Sequence, residues 1–221
     1  MKTALIIGST GLIGSQLLEL LLDSEEYATI ITFVKRDSGI QHSKLKQHII
    51  DFEKSEDYQN FVVGDDFFCT IGTTIKKAGS QEAFRKVDFE YPKAFATIAL
   101  QNNIKQFLII SSLGADANSG NFYLKTKGEI QDFLKNSTFE SVSVLQPSLL
   151  LGDRKEFRLG EKIGAFFMKL FSFLLIGNLK KYKAIQSEVV AKAMFDIAQK
   201  NYKGFHIIES DTIQEIAHKK S

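Results

Sequence analysis

Short, compact apolar runs alternate along this chain with longer stretches whose apolar residues recur at helical spacing. Ala4 to Ile7 is the first run, and it stops at Gly8. Behind it Leu17, Leu18, Leu21 and Leu22 share one broad helical face. Further strands are expected at Thr29 to Val34, Gln47 to Asp51, Asp66 to Ile71, Gln106 to Ile110 and Ser141 to Leu145. A short helix is expected near Ser55, Asp57 and Tyr58. A long helical pattern runs from Ser80, a candidate N-cap, to Gln101, with Pro92 expected to kink it. Another helix leads from Tyr123 through Leu134. Downstream, Ser187 to Gln199 reads as an amphipathic helix, Phe205 to Ile208 as a last strand and Thr212 to His218 as a short helix. Buried-type strands alternating with helices predict an α/β protein built on a doubly wound parallel sheet. No repeat, low-complexity tract or linker interrupts the pattern, so one domain is expected over 1–221, with 148–221 forming a small C-terminal elaboration.

Composition narrows the function classes. The chain has 221 residues, enough to bury a sizeable core, and its 44% hydrophobic and 24% charged content is ordinary for a globular protein. A net charge of +2 argues against a large nucleic-acid footprint, so no nucleic-acid partner is expected. The lone cysteine, Cys69, excludes an internal disulfide framework and fits a reducing compartment, so a cytoplasmic protein is expected. The first apolar run ends too early for a secretory signal. The longest apolar stretch, Ala165 to Ile176, is broken by Lys169 and Ser172 and is too short to span a bilayer. His42 and His48 lack partners at metal-ligand spacing, and no metal site is expected.

The candidate chemistry starts at Gly8. The loop Gly8, Ser9, Thr10, Gly11, Leu12, Ile13, Gly14 sits between a strand and a helix, the layout that places a pyrophosphate on a helix N-terminus. Its spacing is G-x-x-G-x-x-G rather than G-x-G-x-x-G. Alone, such a trio is also what a tight strand-to-helix turn looks like; its context favours a nucleotide. The second strand ends at Lys35, Arg36 and Asp37. An acid at this point bonds the ribose hydroxyls of NAD, whereas an arginine takes the extra phosphate of NADP. Two cations come first here, and Arg36 can fork onto a phosphate with Lys35 beside it. NADP is therefore favoured over NAD, with Asp37 as the competing reading. Gly72, Thr73 and Thr74 end the fourth strand and suit a ligand lying over the sheet edge.

Tyr123 and Lys127 are spaced to share one helical face. An ammonium beside a phenol stabilises its ionised form, which makes a good acid–base catalyst. Ser111 and Ser112 end a strand shortly before, so a hydroxyl can meet the same substrate oxygen. Most Tyr-x-x-x-Lys pairs are surface residues; one that follows a serine-ended strand in a dinucleotide fold means more.

With these motifs in order, the chain resembles an atypical short-chain dehydrogenase/reductase, and within that superfamily the Tat-interacting-protein-like group of NADP-binding oxidoreductases. The resemblance runs from Leu5 to about Glu161. It rests on the glycine loop, on Phe68 to Thr74 with Lys77 to Gly79, on Ser111 to Asp116, on Asn121 to Glu129 and on Gln146 to Arg154. It implies a Rossmann-like fold, NADP and a Ser/Tyr/Lys site. The glycine loop would then hold the pyrophosphate and Arg36 the adenosine phosphate, while Asp51 and Phe52 flank the adenine. Gly72 to Thr74 would line the cofactor, Lys127 would anchor the nicotinamide ribose as well as tune Tyr123, and the segment around Pro147 would close over the nicotinamide. Ser112 is preferred to Ser111 as the residue facing substrate. Many superfamily members carry an asparagine in the long central helix; the counterpart here is Val87-Asp88, an acid.

The resemblance thus implies hydride transfer between NADP(H) and a carbonyl or hydroxyl of a small molecule. The alternative is an NADP(H)-binding regulatory or redox-sensing protein with little turnover; a sugar-nucleotide epimerase-like enzyme is a weaker third. The charge run Arg154 to Arg158 reads as a solvated loop. Ile163 to Ile176, apolar nearly all round, reads first as core, then as a dimer contact, then as the wall of an apolar substrate pocket and last as a membrane-surface element; a protein partner or homodimer is the partner expected besides the substrate.

Overall fold

The computed structural model describes residues 1–152, 177–200 and 202–219. Seven strands form one sheet: β1 (Lys2–Ile7), β2 (Tyr27–Val34), β3 (Leu45–Ile49), β4 (Asp66–Cys69), β5 (Gln106–Ile110), β6 (Ser141–Gln146) and, last in sequence, Gly204–Glu209. Between β6 and that last strand lie two short strands, β7 (Leu150–Leu151) and β8 (Ile185–Gln186), which pair with each other; Gly204–Glu209 is therefore β9. The sheet order is β3-β2-β1-β4-β5-β6-β9, and every pairing is parallel. This is a Rossmann-like doubly wound sheet. The order reverses between β1 and β4, where ligands bind in open sheets of this type.

Strand side chains alternate between two cores. Ala4 and Ile6 face a cluster built with α1 (Leu12–Asp23), α7 (Ser187–Ala198) and α8 (Ser210–His218). Leu5 and Ile7 face the other cluster, built with α5 (Tyr91–Gln101) and α6 (Phe122–Lys135). Phenylalanine fills much of this second core. Phe67 stacks on Phe107 at 4.9 Å between ring centres, and Phe95 meets Phe33, Phe52, Tyr58 and Phe67.

Two expectations need correction. β4 stops at Cys69 instead of Ile71, because its neighbour β1 ends in register at Ile7 and turns away at Gly8. β3 lies at Leu45–Ile49, two residues earlier than expected. The helix expected over Ser80 to Gln101 is present, with a π-turn inside it. Ser80 caps its first part, α4 (Gln81–Arg85); Lys86–Glu90 is a π-turn, and α5 continues from it at Tyr91. Pro92 falls in the first turn of α5, where it has no N–H to give to the preceding turn; just before it, the Tyr91 N–H reaches back to the Lys86 carbonyl. The small helices α2 (Ser55–Tyr58) and α3 (Ile75–Ala78) complete the first half. The apolar segment 163–176 and the charge run 154–158 lie outside the described residues.

Candidate active site

All the strand ends singled out in the sequence open on one edge of the sheet. Gly8 leaves β1 with φ at 84°, a left-handed conformation that favours glycine, and a β-carbon there would strike the Thr70 and Ile71 backbone. The Gly11 N–H donates to the Gly8 carbonyl at 2.9 Å, closing a tight turn into α1. Gly11 is the N-cap residue, with no side-chain cap and no acid in the first turn of the helix. A β-carbon on Gly11 would meet only the Gly8 carbonyl. The N-terminus of α1 is thus bare backbone N–H with positive dipole and open space before it, which fits the pyrophosphate of a dinucleotide. Leu12 and Ile13 begin the helix, and Ile13 packs inward. Ser9 is buried; Thr10 is exposed.

At the end of β2, Lys35, Arg36 and Asp37 are all exposed but differently engaged. The Asp37 carboxylate accepts the Gly39 N–H at 2.9 Å and the Gln47 amide at 2.6 Å. The Gly39 bond, then the Gln47 bond, holds its carboxyl below the usual range. The Lys35 ammonium lies over the rings of Phe52 and Tyr91, at 5.7 and 5.5 Å. Arg36 makes no ion pair among the described residues. Asp51 caps its own turn by accepting the Glu53 N–H, and the Phe52 ring points into the aromatic core.

The second group of residues converges from β4, β5, β6 and α6. Asn121 caps α6 by accepting the Leu124 N–H at 3.2 Å. At Gly128 a β-carbon would overlap the Asp116 and Ala117 backbone, so the loop after β5 lies flat on α6. Tyr123 is half-buried, its ring 5.4 Å from that of Phe84. Lys127 is buried. Its ammonium lies 2.8 Å from Asp88 Oδ1 and donates to the Ile110 carbonyl at 3.4 Å. Burial acts most strongly on this lysine and would lower its pKa; the Asp88 charge, with a smaller contribution from Tyr123, outweighs it, and the net shift is upward. Asp88 Oδ2 accepts the Thr73 N–H at 2.9 Å, and Gly72 lies beside the same pair. Thr74 caps α3 by accepting the Lys77 N–H.

The two serines part company. Ser111 is buried and accepts the Gln131 amide at 2.5 Å; Gln131 in turn accepts from Gln146 at 3.0 Å. Ser112 is half-buried, and among the described residues its hydroxyl has only a 3.5 Å contact with the next carbonyl. Pro147 is buried and accepts the Leu113 N–H. Asp88 is the site residue that sequence reasoning placed near the chemistry without giving it a role. Its signal was the acid that the resemblance sets against the asparagine expected of the superfamily.

The family model described as NAD(P)H-binding matches residues 8–200. The chain belongs to the NAD(P)H-binding family. Among curated proteins it is 33% identical over 212 residues to Protein FMP52, mitochondrial, of Candida albicans, covering 90% of this chain and 89% of that one. It is 34% identical over 170 residues to Protein HTATIP2 of Rattus norvegicus, covering 75% of this chain and 70% of that one. The resemblance drawn from the motifs therefore holds. Among solved structures, a short chain dehydrogenase family protein from Francisella tularensis superposes with a TM-score of 0.66 at 17% identity, covering 96% of this chain and 98% of that one. Bordetella bronchiseptica WbmH, in complex with NAD+, gives 0.70 at 17% identity, covering 98% and 80%. At that identity the structures speak for the fold alone. Among the described residues no helix is long and apolar enough to cross a membrane, and no cluster of His, Cys, Asp and Glu could hold a metal ion.

Proposed function

We propose that this protein is an oxidoreductase that uses NADP(H) to interconvert a carbonyl and a hydroxyl on a small molecule. The observation that supports the reading is the buried Lys127 ammonium, which interacts with Tyr123 on its own helix and donates to the Ile110 carbonyl at the end of the strand that leads into Ser112. A bound nicotinamide would supply or accept hydride there. Tyr123 is assigned as general acid and base: its phenol gives a proton to the substrate oxygen in reduction and takes it back in oxidation. Ser112, whose hydroxyl is free of a good internal partner, donates a hydrogen bond to the same oxygen. The Lys127 ammonium stabilises the phenolate and anchors the nicotinamide ribose. Arg36 faces the phosphate on the adenosine ribose, helped by Lys35; Asp37, engaged in its own turn, is poorly placed to compete for that ribose.

The test is an NADPH-oxidation screen against a panel of aldehydes and ketones, run on native protein and Tyr123→Phe. Turnover with at least one compound is expected. It should fall about 10²–10⁴-fold in Tyr123→Phe while NADPH affinity stays native. Native turnover in that variant would remove Tyr123 from the role. NADPH binding with no turnover anywhere would favour a regulatory protein instead.

A further inference from the structure

Asp88 is a buried carboxylate with no part in the chemistry above. It is 1% exposed and lies in the π-turn before α5, with one oxygen in an ion pair and the other in a hydrogen bond. Oδ1 meets the Lys127 ammonium at 2.8 Å, and Oδ2 accepts the Thr73 backbone N–H at 2.9 Å. Lys127 belongs to α6 and Thr73 to the loop after β4, so one side chain ties two walls of the cleft together. The π-turn is the device that delivers it. An extra residue in the turn rotates the following helix relative to the preceding one, and such turns recur at functional sites. The pair sits where water cannot screen it, so removing the acid leaves a lysine that burial would discharge.

We propose that Asp88 is a positioning residue that acts through Lys127, holding its ammonium in a buried ion pair while fixing the Gly72 to Thr74 wall. This rests on the reading of Lys127 as an anchor for the nicotinamide ribose. The charged or titratable groups facing Lys127 are Asp88 from the π-turn, Tyr123 from its own helix and Cys69 from β4. Cys69 is fully buried, and burial pushes its thiol up to about 12, so it carries no charge through the working range. Asp88 is then the group that decides whether Lys127 stays protonated. An asparagine could still accept the Thr73 N–H and would fit the space; it would supply no charge.

The experiment titrates native protein, Asp88→Asn and Asp88→Glu with NADPH by cofactor fluorescence, near neutral pH and at about pH 9.5, below the ordinary lysine range. Native affinity should change less than about twofold between the two. Asp88→Asn should lose about tenfold or more at the higher pH, the size of one unit of titration, and Asp88→Glu should recover most of that loss. An Asp88→Asn protein with native affinity at both pH values overturns the proposal. If Asp88→Asn does not fold, carbon-13 lysine-ε NMR of native protein decides, with Lys127 assigned by Lys127→Met. Titration of Lys127 above the exposed lysines supports the proposal, and titration below them overturns it. That NMR result stands even if the native protein binds no NADPH, in which case the functional reading fails separately.

Discussion

Gly14 lies against Gly8 so closely that a β-carbon on it would run into the Gly8 carbonyl and come within 2.5 Å of the Thr70 hydroxyl. The same hydroxyl donates to the Ile7 carbonyl at 2.9 Å, so β1, α1 and the end of β4 are locked at one point. Gly14→Ala should therefore cost stability, on the order of 1–3 kcal/mol as for other overpacked sites. Gly11→Ala should behave differently. Its φ of −82° suits alanine, and its β-carbon would project into the space proposed for the pyrophosphate. Thermal melts should show a near-native Gly11→Ala that has lost NADPH affinity about tenfold or more, and a Gly14→Ala that melts earlier.

The adjacent serines predict opposite phenotypes. Ser111→Ala removes the acceptor for the buried Gln131 amide, an unsatisfied donor worth about 1–3 kcal/mol, so it should lower the denaturation midpoint. Ser112→Ala strands no buried group and should melt like the native protein while turnover drops. Paired denaturation and activity measurements distinguish the two; a stable Ser111→Ala with lost turnover would exchange their roles.

At the opposite edge of the sheet a purely structural network carries its own prediction. Asp66 accepts the Tyr27 hydroxyl at 2.6 Å, the Gln106 amide at 2.9 Å and the Lys2 ammonium at 3.1 Å. Burial, and then the Asp66 charge, push the Tyr27 phenol well above its ordinary range, so it remains a donor. Asp66→Ala strands the buried Tyr27 hydroxyl and removes one of two acceptors from the Gln106 amide, which keeps the Ala198 carbonyl at 3.0 Å. It should destabilise the fold by roughly 2–4 kcal/mol in urea unfolding, with NADPH affinity unchanged under folding conditions.

His48 gives a pH signature. Its ring stacks on Phe61 at 4.2 Å, and partial burial, followed by the nearby Lys46, lowers its pKa. The unfolded chain therefore binds the extra proton first. The stabilisation is fully present above the ordinary histidine value of about 6.5 and is lost as pH falls through the lower folded value. Urea midpoints for native protein should decline across that window more steeply than those for His48→Gln. Equal slopes would mean that the stack does not disfavour the charged ring.

The parts of the site legible in the sequence were those carried by local pattern. An apolar run ending at Gly8 with a leucine-rich helix behind it could be read directly, because strand period, glycine turn and helix period are each short-range. Tyr123 and Lys127 likewise needed only helical spacing. What escaped depended on partners distant along the chain. Nothing local says that Asp88 meets Lys127, or that the Phe52 ring turns into the core beside Tyr91 and Phe95. Ser111 and Ser112 are equivalent in pattern, and only the Gln131 amide separates them. The apolar positions on either side of Lys86–Glu90 read as one helix, since a π-turn changes which residues face the sheet without changing composition. β4 looked two residues longer because Thr70 and Ile71 are strand-like; its length is set by where β1 runs out.

The central claim is tested most directly by calorimetric titration of the native protein and Arg36→Ala with NADPH and NADH. The account predicts that NADPH binds at least about tenfold more tightly than NADH, a margin of about 1.4 kcal/mol, and that Arg36→Ala levels the two. Equal binding of both cofactors by the native protein would contradict the assignment of NADP, and binding of neither would contradict the dinucleotide site itself.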